Sequence, residues 1–173
     1  MKMKENNQNS IGFIGAGSMG SPMLKNLISS GYSVTVYDIS KVVTSRLEKE
    51  KIKTVNNLRA LANNNYIISI LPDTQDVESV YDIENGITQY LKPGTVVIDM
   101  STISSSSSIK IGKELEKKQI EFLDAPVSGG VKGAKEANLS IMVGGKKATF
   151  TKSLRICNAV SYTHLRAHET DRH

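Results

Sequence analysis

Ile11-Gly12-Phe13-Ile14-Gly15-Ala16-Gly17-Ser18-Met19-Gly20-Ser21-Pro22-Met23-Leu24 decides the fold. Residues 11–14 form the short apolar run of a buried parallel strand, and Gly15, Gly17 and Gly20 follow in the spacing G-x-G-x-x-G. Met23, Leu24, Leu27 and Ile28 then take up helical spacing, so the stretch reads as strand, tight turn and helix. Gly15 permits the turn, Gly17 lets backbone approach a pyrophosphate, and Gly20 lets the helix pack on the strand. The unpaired N–H groups and dipole of the helix N-terminus favour negative charge beside Ser18 and Met19 without a basic side chain. Pro22 fits the first turn, where its missing N–H has no helical partner, and Gly31 ends the helix. Residues 33–37 read as a second strand, and Asp38 closes it 18 positions beyond Gly20, where a ribose-binding carboxylate belongs. Together these features predict a dinucleotide site.

The rest of the chain repeats the alternation. Helical patterns are expected over residues 41–51, 74–81, 109–118 and 146–156, with a brief one over 58–62 capped by Asn56. Strand-like runs are expected over 52–55, 66–71, 95–100, 121–124 and 139–145. The serine run at 104–108 reads as a cap region feeding the helix that follows. Alternating strands and helices predict an α/β, Rossmann-type doubly wound, mostly parallel sheet whose ligand loops lie at the carboxyl ends of strands. Ser128, Gly129 and Gly130 form a second glycine-rich turn, able to present a hydroxyl and backbone N–H groups to a small carboxylate.

At 173 residues the chain suits one domain with its own core. Its net charge of +5 is scattered as lysines without a basic stripe, which argues against nucleic-acid binding. No apolar run reaches membrane-spanning length. The lone Cys157 excludes an internal disulfide framework, fits a cytoplasmic setting and reads as an inert thiol. Residues 1–10 lack the apolar core of a secretory signal and read as a disordered leader. No metal site is expected, because all three histidines fall within residues 164–173.

Five ordered motifs resemble the β-hydroxyacid dehydrogenase family, most closely its 3-hydroxyisobutyrate branch. They are the glycine-rich stretch at 12–23, Leu71-Pro72, Asp99-Met100-Ser101-Thr102-Ile103, Asp124-Ala125-Pro126-Val127-Ser128-Gly129-Gly130, and Ile141-Met142-Val143-Gly144-Gly145. The resemblance implies that the first motif holds the pyrophosphate of NAD, with NADP disfavoured by Asp38. It implies that Leu71, Pro72 and Thr102 line the cofactor, and that Ser128, Gly129 and Gly130 bind the substrate carboxylate. It further implies hydride transfer between a small 3-hydroxy acid and its semialdehyde, in a full-length homo-oligomer. A tartronate semialdehyde reductase and a non-catalytic dinucleotide sensor stay open as alternatives, while the wording of 125–130 disfavours the 6-phosphogluconate branch. Departures are Ala16, Leu24 and Ala137, the last at a position where many members carry glycine. The match is expected over 11–159. Residues 160–173 have no evident counterpart there and read as a non-native tail, so the last strand, the catalytic lysine and the all-helical second domain of the family are expected to be missing. The catalytic residue is therefore unassigned, and the fragment is expected to be inactive alone.

Overall fold

The computed structural model describes residues 9–161 and 164–169, the last six through their backbone alone. The leader expected at 1–10 lies outside the described residues up to position 8, and Ser10 already belongs to the first strand. The first half runs β1 (Ser10–Ile14), α1 (Gly20–Ser29), β2 (Ser33–Tyr37), α2 (Lys41–Lys49) and β3 (Lys53–Val55). The second half runs β4 (Tyr66–Ser69), α3 (Thr74–Tyr81), β5 (Val96–Asp99), α4 (Ser105–Lys117) and β6 (Glu121–Asp124), with 3-10 turns at Leu58–Leu61 and Ile87–Tyr90. These six strands stand in the order β3-β2-β1-β4-β5-β6, all parallel. That order is doubly wound, in line with the fold class expected.

Past β6 the sheet departs from the parallel pattern. Asp124 pairs with Gly144, Val127 with Ile141 and Ser128 with Ser140, all in one register. β6 and β7 (Val127–Ser128) are thus one strand bent at Ala125 and Pro126, and β8 (Ser140–Gly145) runs antiparallel to both. Helix α5 (Gly130–Lys135) fills the connection, and α6 (Lys147–Val160) returns the chain to the far edge. There the expected loss of a final strand is corrected. β9 (His164–Glu169) pairs in parallel with β8 from Ser140 to Gly145, so backbone hydrogen bonding continues past the point where the sequence pattern faded. Two smaller expectations also shift. The cap of the 3-10 turn is Asn57, whose Oδ1 accepts from the Ala60 N–H, and not Asn56. Ser104 alone caps α4, and the other four serines of the run lie inside the helix. Among the described residues, no helix is long and apolar enough to cross a membrane.

Period-two side-chain direction divides the core between the two faces of the sheet. Phe13, Ile68, Ile98 and Leu123 point to the face covered by α1 and α6, where Met23, Leu24, Leu27 and Ile156 meet them. Ile14, Ile67, Val97 and Phe122 point to the other face, under α3 and α4, with Val77, Tyr81, Ile111 and Leu115. Because both faces are covered, the parallel strands read as continuous apolar runs.

Candidate functional site

Tyr37, Ile14, Ser69, Asp99 and Asp124 are register partners across β2, β1, β4, β5 and β6, so they form one row at the carboxyl edge of the sheet. The loops that leave this row carry the expected residues in spatial sequence. Asp38 follows β2, the glycine turn follows β1, Leu71 and Pro72 follow β4, Ser101 and Thr102 follow β5, and Ser128 ends the bent continuation of β6. Between β1 and β4 the winding changes direction, its loops diverge, and a crevice opens. A cleft of about 600 Å³ lies there. It is lined by Gly15, Gly17, Ser18, Met19, Gly20, Asp38, Leu71 and Pro72. Thr102, Ser128, Gly129 and Gly130 do not line it; they are exposed on the loops farther along the row. The expected site residues thus divide between a cleft and a separate turn, because β5 and β6 stand between β4 and Ser128.

The three glycines of the first turn differ in what holds them. Gly15 has φ +96°, and a Cβ there would sit 2.2 Å from the Ile70 carbonyl oxygen. A Cβ on Gly20 would sit 2.0 Å from the Gly15 carbonyl oxygen. Both are demanded by the fold itself. A Cβ on Gly17 would meet nothing within 4 Å, so its open surface fits a ligand that comes close to backbone. Helix α1 starts there with Met19 at its cap, no side-chain cap bond and no acid in its first turn. Ser40, Asp73 and Ser104 supply such a bond to α2, α3 and α4. The uncapped N-terminus beside Gly17 fits a phosphate.

Asp38 also braces the fold. Its Oδ2 accepts from the Ala16 N–H at 2.7 Å and its Oδ1 from the Ser40 N–H at 2.8 Å. The carboxylate therefore stitches the glycine turn to the end of β2, where the Gly15 N–H also donates to the Tyr37 carbonyl at 3.0 Å. An ionised carboxylate has about four acceptor sites, so two stay available for a ligand's donors. A cation close to this turn was not legible in the sequence: Arg46 of α2 donates from Nη2 to the Ala16 carbonyl at 3.3 Å.

At the other end of the row, Gly129 (φ +137°) and Gly130 (φ +66°) turn the chain from Ser128 into α5. Both are exposed, and α5 is fastened to the cofactor-side helix by Asn26, whose Nδ2 donates to the Ala134 carbonyl at 2.8 Å. Cys157 is buried in α6 and takes no part in the cleft wall. Burial pushes its thiol up to about 11, which makes it a poor nucleophile.

A sequence model of the family described as the NAD binding domain of 6-phosphogluconate dehydrogenase matches residues 10–167. The chain belongs to that family. It is 40% identical over 141 residues to mouse (Mus musculus) mitochondrial 3-hydroxyisobutyrate dehydrogenase, covering 81% of this chain and 42% of that protein. It is 40% identical over 143 residues to the 2-(hydroxymethyl)glutarate dehydrogenase of Eubacterium barkeri, covering 82% of this chain and 48% of that one. Among solved structures, the 3-hydroxyisobutyrate dehydrogenase of Mycobacterium tuberculosis superposes with a TM-score of 0.87 at 30% identity, over 94% of this chain and 55% of that chain. The chain spans about half the length of the relatives it matches. The family match reaches residue 167, so the expectation that it fades at 159 is corrected together with the last strand.

This NAD-binding domain also lines its cleft with residues that the sequence reading missed. Asp76, Ser79 and Val80 come from α3 at helical spacing, and Ile39 follows Asp38. A signal was present in each case. The α3 residues belong to the helix that directly follows Leu71 and Pro72, and Ile39 directly follows Asp38.

Proposed function

We propose that this chain is the cofactor-binding part of an enzyme that interconverts a small 3-hydroxy acid and its semialdehyde, with NAD as hydride carrier. One observation carries the reading: Asp38, the open glycine turn, Leu71 and Pro72 stand in that order along the sheet edge, with the Ser128 turn beyond them. In this assignment Asp38 accepts from the ribose hydroxyls next to the adenine. Gly15, Gly17, Ser18, Met19 and Gly20 cradle the pyrophosphate at the α1 N-terminus. Leu71, Pro72 and Thr102 wall the nicotinamide half, and Ser128, Gly129 and Gly130 take the substrate carboxylate. NAD, when bound, supplies the hydride acceptor; the protein holds, orients and manages a proton.

The residues that line the cleft include no lysine and no histidine. A group that relays the hydroxyl proton therefore has to come from outside this cleft, and general acid-base help of that kind is worth roughly 10²- to 10⁴-fold. The 173-residue chain is expected to bind cofactor without turning over substrate alone. The buried free thiol of Cys157 suits a reducing, cytoplasm-like compartment, and the working form is a homo-oligomer as the resemblance implies.

Calorimetric titration with NAD and NADP tests the cofactor assignment. A 2′-phosphate beside the Asp38 carboxylate meets like charge, so NADP is expected to bind at least about tenfold more weakly than NAD. Equal affinities would overturn the role of Asp38. In the same sample, NADH absorbance should stay flat on addition of 3-hydroxyisobutyrate, and saturable turnover would overturn the expectation that this chain is inactive alone.

A further inference from the structure

A buried polar knot lies directly behind the cleft. Asp99, at the end of β5, is fully buried. Its Oδ1 accepts from Ser69 Oγ at 2.8 Å, Ser101 Oγ at 2.7 Å and the Ser101 N–H at 3.2 Å. Its Oδ2 has no partner among the described residues. Each serine hydroxyl donates inward to Asp99 and so is left to accept from outside. Ser69 Oγ accepts from the Tyr81 hydroxyl at 2.7 Å, and Ser101 Oγ accepts from the Leu71 N–H at 2.9 Å. The bonds therefore run one way, toward a single carboxylate, from α3 on one side and from the cleft wall on the other.

We propose that Asp99 is a positioning residue for the cofactor: by orienting Ser101 it fixes the backbone of Leu71, and with it the Leu71 and Pro72 wall of the dinucleotide cleft. This rests on the reading of that cleft as the NAD site. The chemistry favours such a role over mere filling. A sheet end that needed only packing would be served by an apolar side chain, whereas a buried carboxylate with one bare oxygen carries a desolvation cost. What the charge adds is direction and strength, since hydrogen bonds to an ionised acceptor are roughly twice as strong as neutral ones. Ser101 Oγ turns its proton to Asp99 and so must offer its lone pair to Leu71.

The same arrangement makes the wall sensitive to pH. Burial raises the Asp99 carboxyl to about 6 against the pull of the Ser101 and Ser69 donors, and the Asp124 carboxylate on β6 adds to the rise. From α3 the facing titratable group is Tyr81, which burial keeps neutral across this range. Loss of the Asp99 charge below about pH 6 weakens the grip on Ser101 and lets the Leu71 wall loosen.

The test is NAD titration of the chain at about pH 8 and about pH 5, for the wild type, Asp99→Asn and Ser101→Ala, with amide hydrogen exchange at Leu71. The wild type should bind NAD about tenfold more weakly at the lower pH, while Asp99→Asn should lose most of that dependence. Ser101→Ala should bind weakly at both values and exchange its Leu71 amide faster. Absence of NAD binding by the wild type at either pH would bring down the cofactor reading and this inference with it. Binding with the same pH dependence in wild type and Asp99→Asn would sink the inference alone. Should Asp99→Asn fail to fold, Ser101→Ala decides: unchanged NAD affinity would overturn the positioning role.

Discussion

Gly15, Gly17 and Gly20 occupy one turn and answer to different neighbours, which makes them separable by a single methyl group. At Gly15 and Gly20 the added Cβ would lie within 2.2 Å and 2.0 Å of a carbonyl oxygen, and Gly15 also has φ +96°. Gly15→Ala and Gly20→Ala are expected to lower unfolding free energy by roughly 2 kcal/mol or more, because backbone has to move. At Gly17 the methyl meets no protein atom within 4 Å. Gly17→Ala should therefore keep wild-type stability within about 0.5 kcal/mol and lose NAD affinity, since the methyl would occupy ligand space. Urea unfolding and calorimetry on the three variants separate the two effects; a Gly17→Ala chain that binds NAD normally would remove the close-approach role. Spacing alone located these residues because G-x-G-x-x-G encodes backbone geometry that is local. The bonds from the Ala16 and Ser40 N–H groups to Asp38 were not legible, since they depend on how closely the glycine turn and the end of β2 approach in three dimensions.

Four of the helices end in the same way. After α1, α2, α4 and α5 the chain closes with one pair of bonds, as in Gly31 N–H to Ile28 and Tyr32 N–H to Leu27 after α1. The residue that turns left-handed is Gly31 (φ +96°) after α1, but Lys51 (φ 63°), Gln119 (φ 59°) and Ala137 (φ 52°) after the others. This is the Schellman closure, and a non-glycine residue there costs roughly 1–2 kcal/mol, partly offset by the greater unfolded-state freedom of glycine. Gln119→Gly and Ala137→Gly should each raise stability by about 0.5–1 kcal/mol, or a few degrees in Tm. Thermal melts check this, and a fall in Tm for both would show that their side-chain contacts outweigh the strain. The Ala137 strain was expected from the resemblance, which implies glycine there in many members, and each parallel strand from β1 to β6 was legible as a strand-like run between turn signals. Helix α5 was not, because its six residues GVKGAK hold two glycines and have poor intrinsic propensity. It forms because packing on α1 and the Asn26 bond hold it. The antiparallel turn of β8 escaped for a related reason: pairing direction depends on partners far apart in sequence.

For the whole molecule, Asp99 sets two pH dependences that run in opposite senses. Its carboxyl titrates at about 6 in the fold against 3.8 for the free side chain, so the folded state holds a proton that the unfolded chain has released between those values. The contribution of Asp99 to stability is therefore greatest below the unfolded value and is lost as pH rises through about 6. The drop amounts to roughly 3 kcal/mol, at about 1.4 kcal/mol for each pH unit that separates the folded and unfolded values. Asp82 works the other way. The Asn85 and Glu84 N–H groups hold its carboxyl below the ordinary value, so what it contributes is present at neutral pH and lost in acid. Because Asp82 and the other carboxylates are common to wild type and Asp99→Asn, they cancel in the difference between the two. In the Asp99→Asn chain the asparagine amide would place a buried N–H₂ group where Oδ2 has no partner, a penalty that does not vary with pH. The wild type should thus lose roughly 2–3 kcal/mol more than Asp99→Asn between about pH 4 and about pH 7, measured by urea unfolding. Cofactor affinity should move the opposite way over the same range, weakening in acid where the contribution of Asp99 to stability is greater. If Asp99 served packing alone, NAD affinity would follow stability or ignore pH, and parallel changes in the two measurements would refute the assignment. A fold that gives up stability at neutral pH to keep a carboxylate ionised behind its cleft has placed that charge for the ligand, since the packing would be better without it.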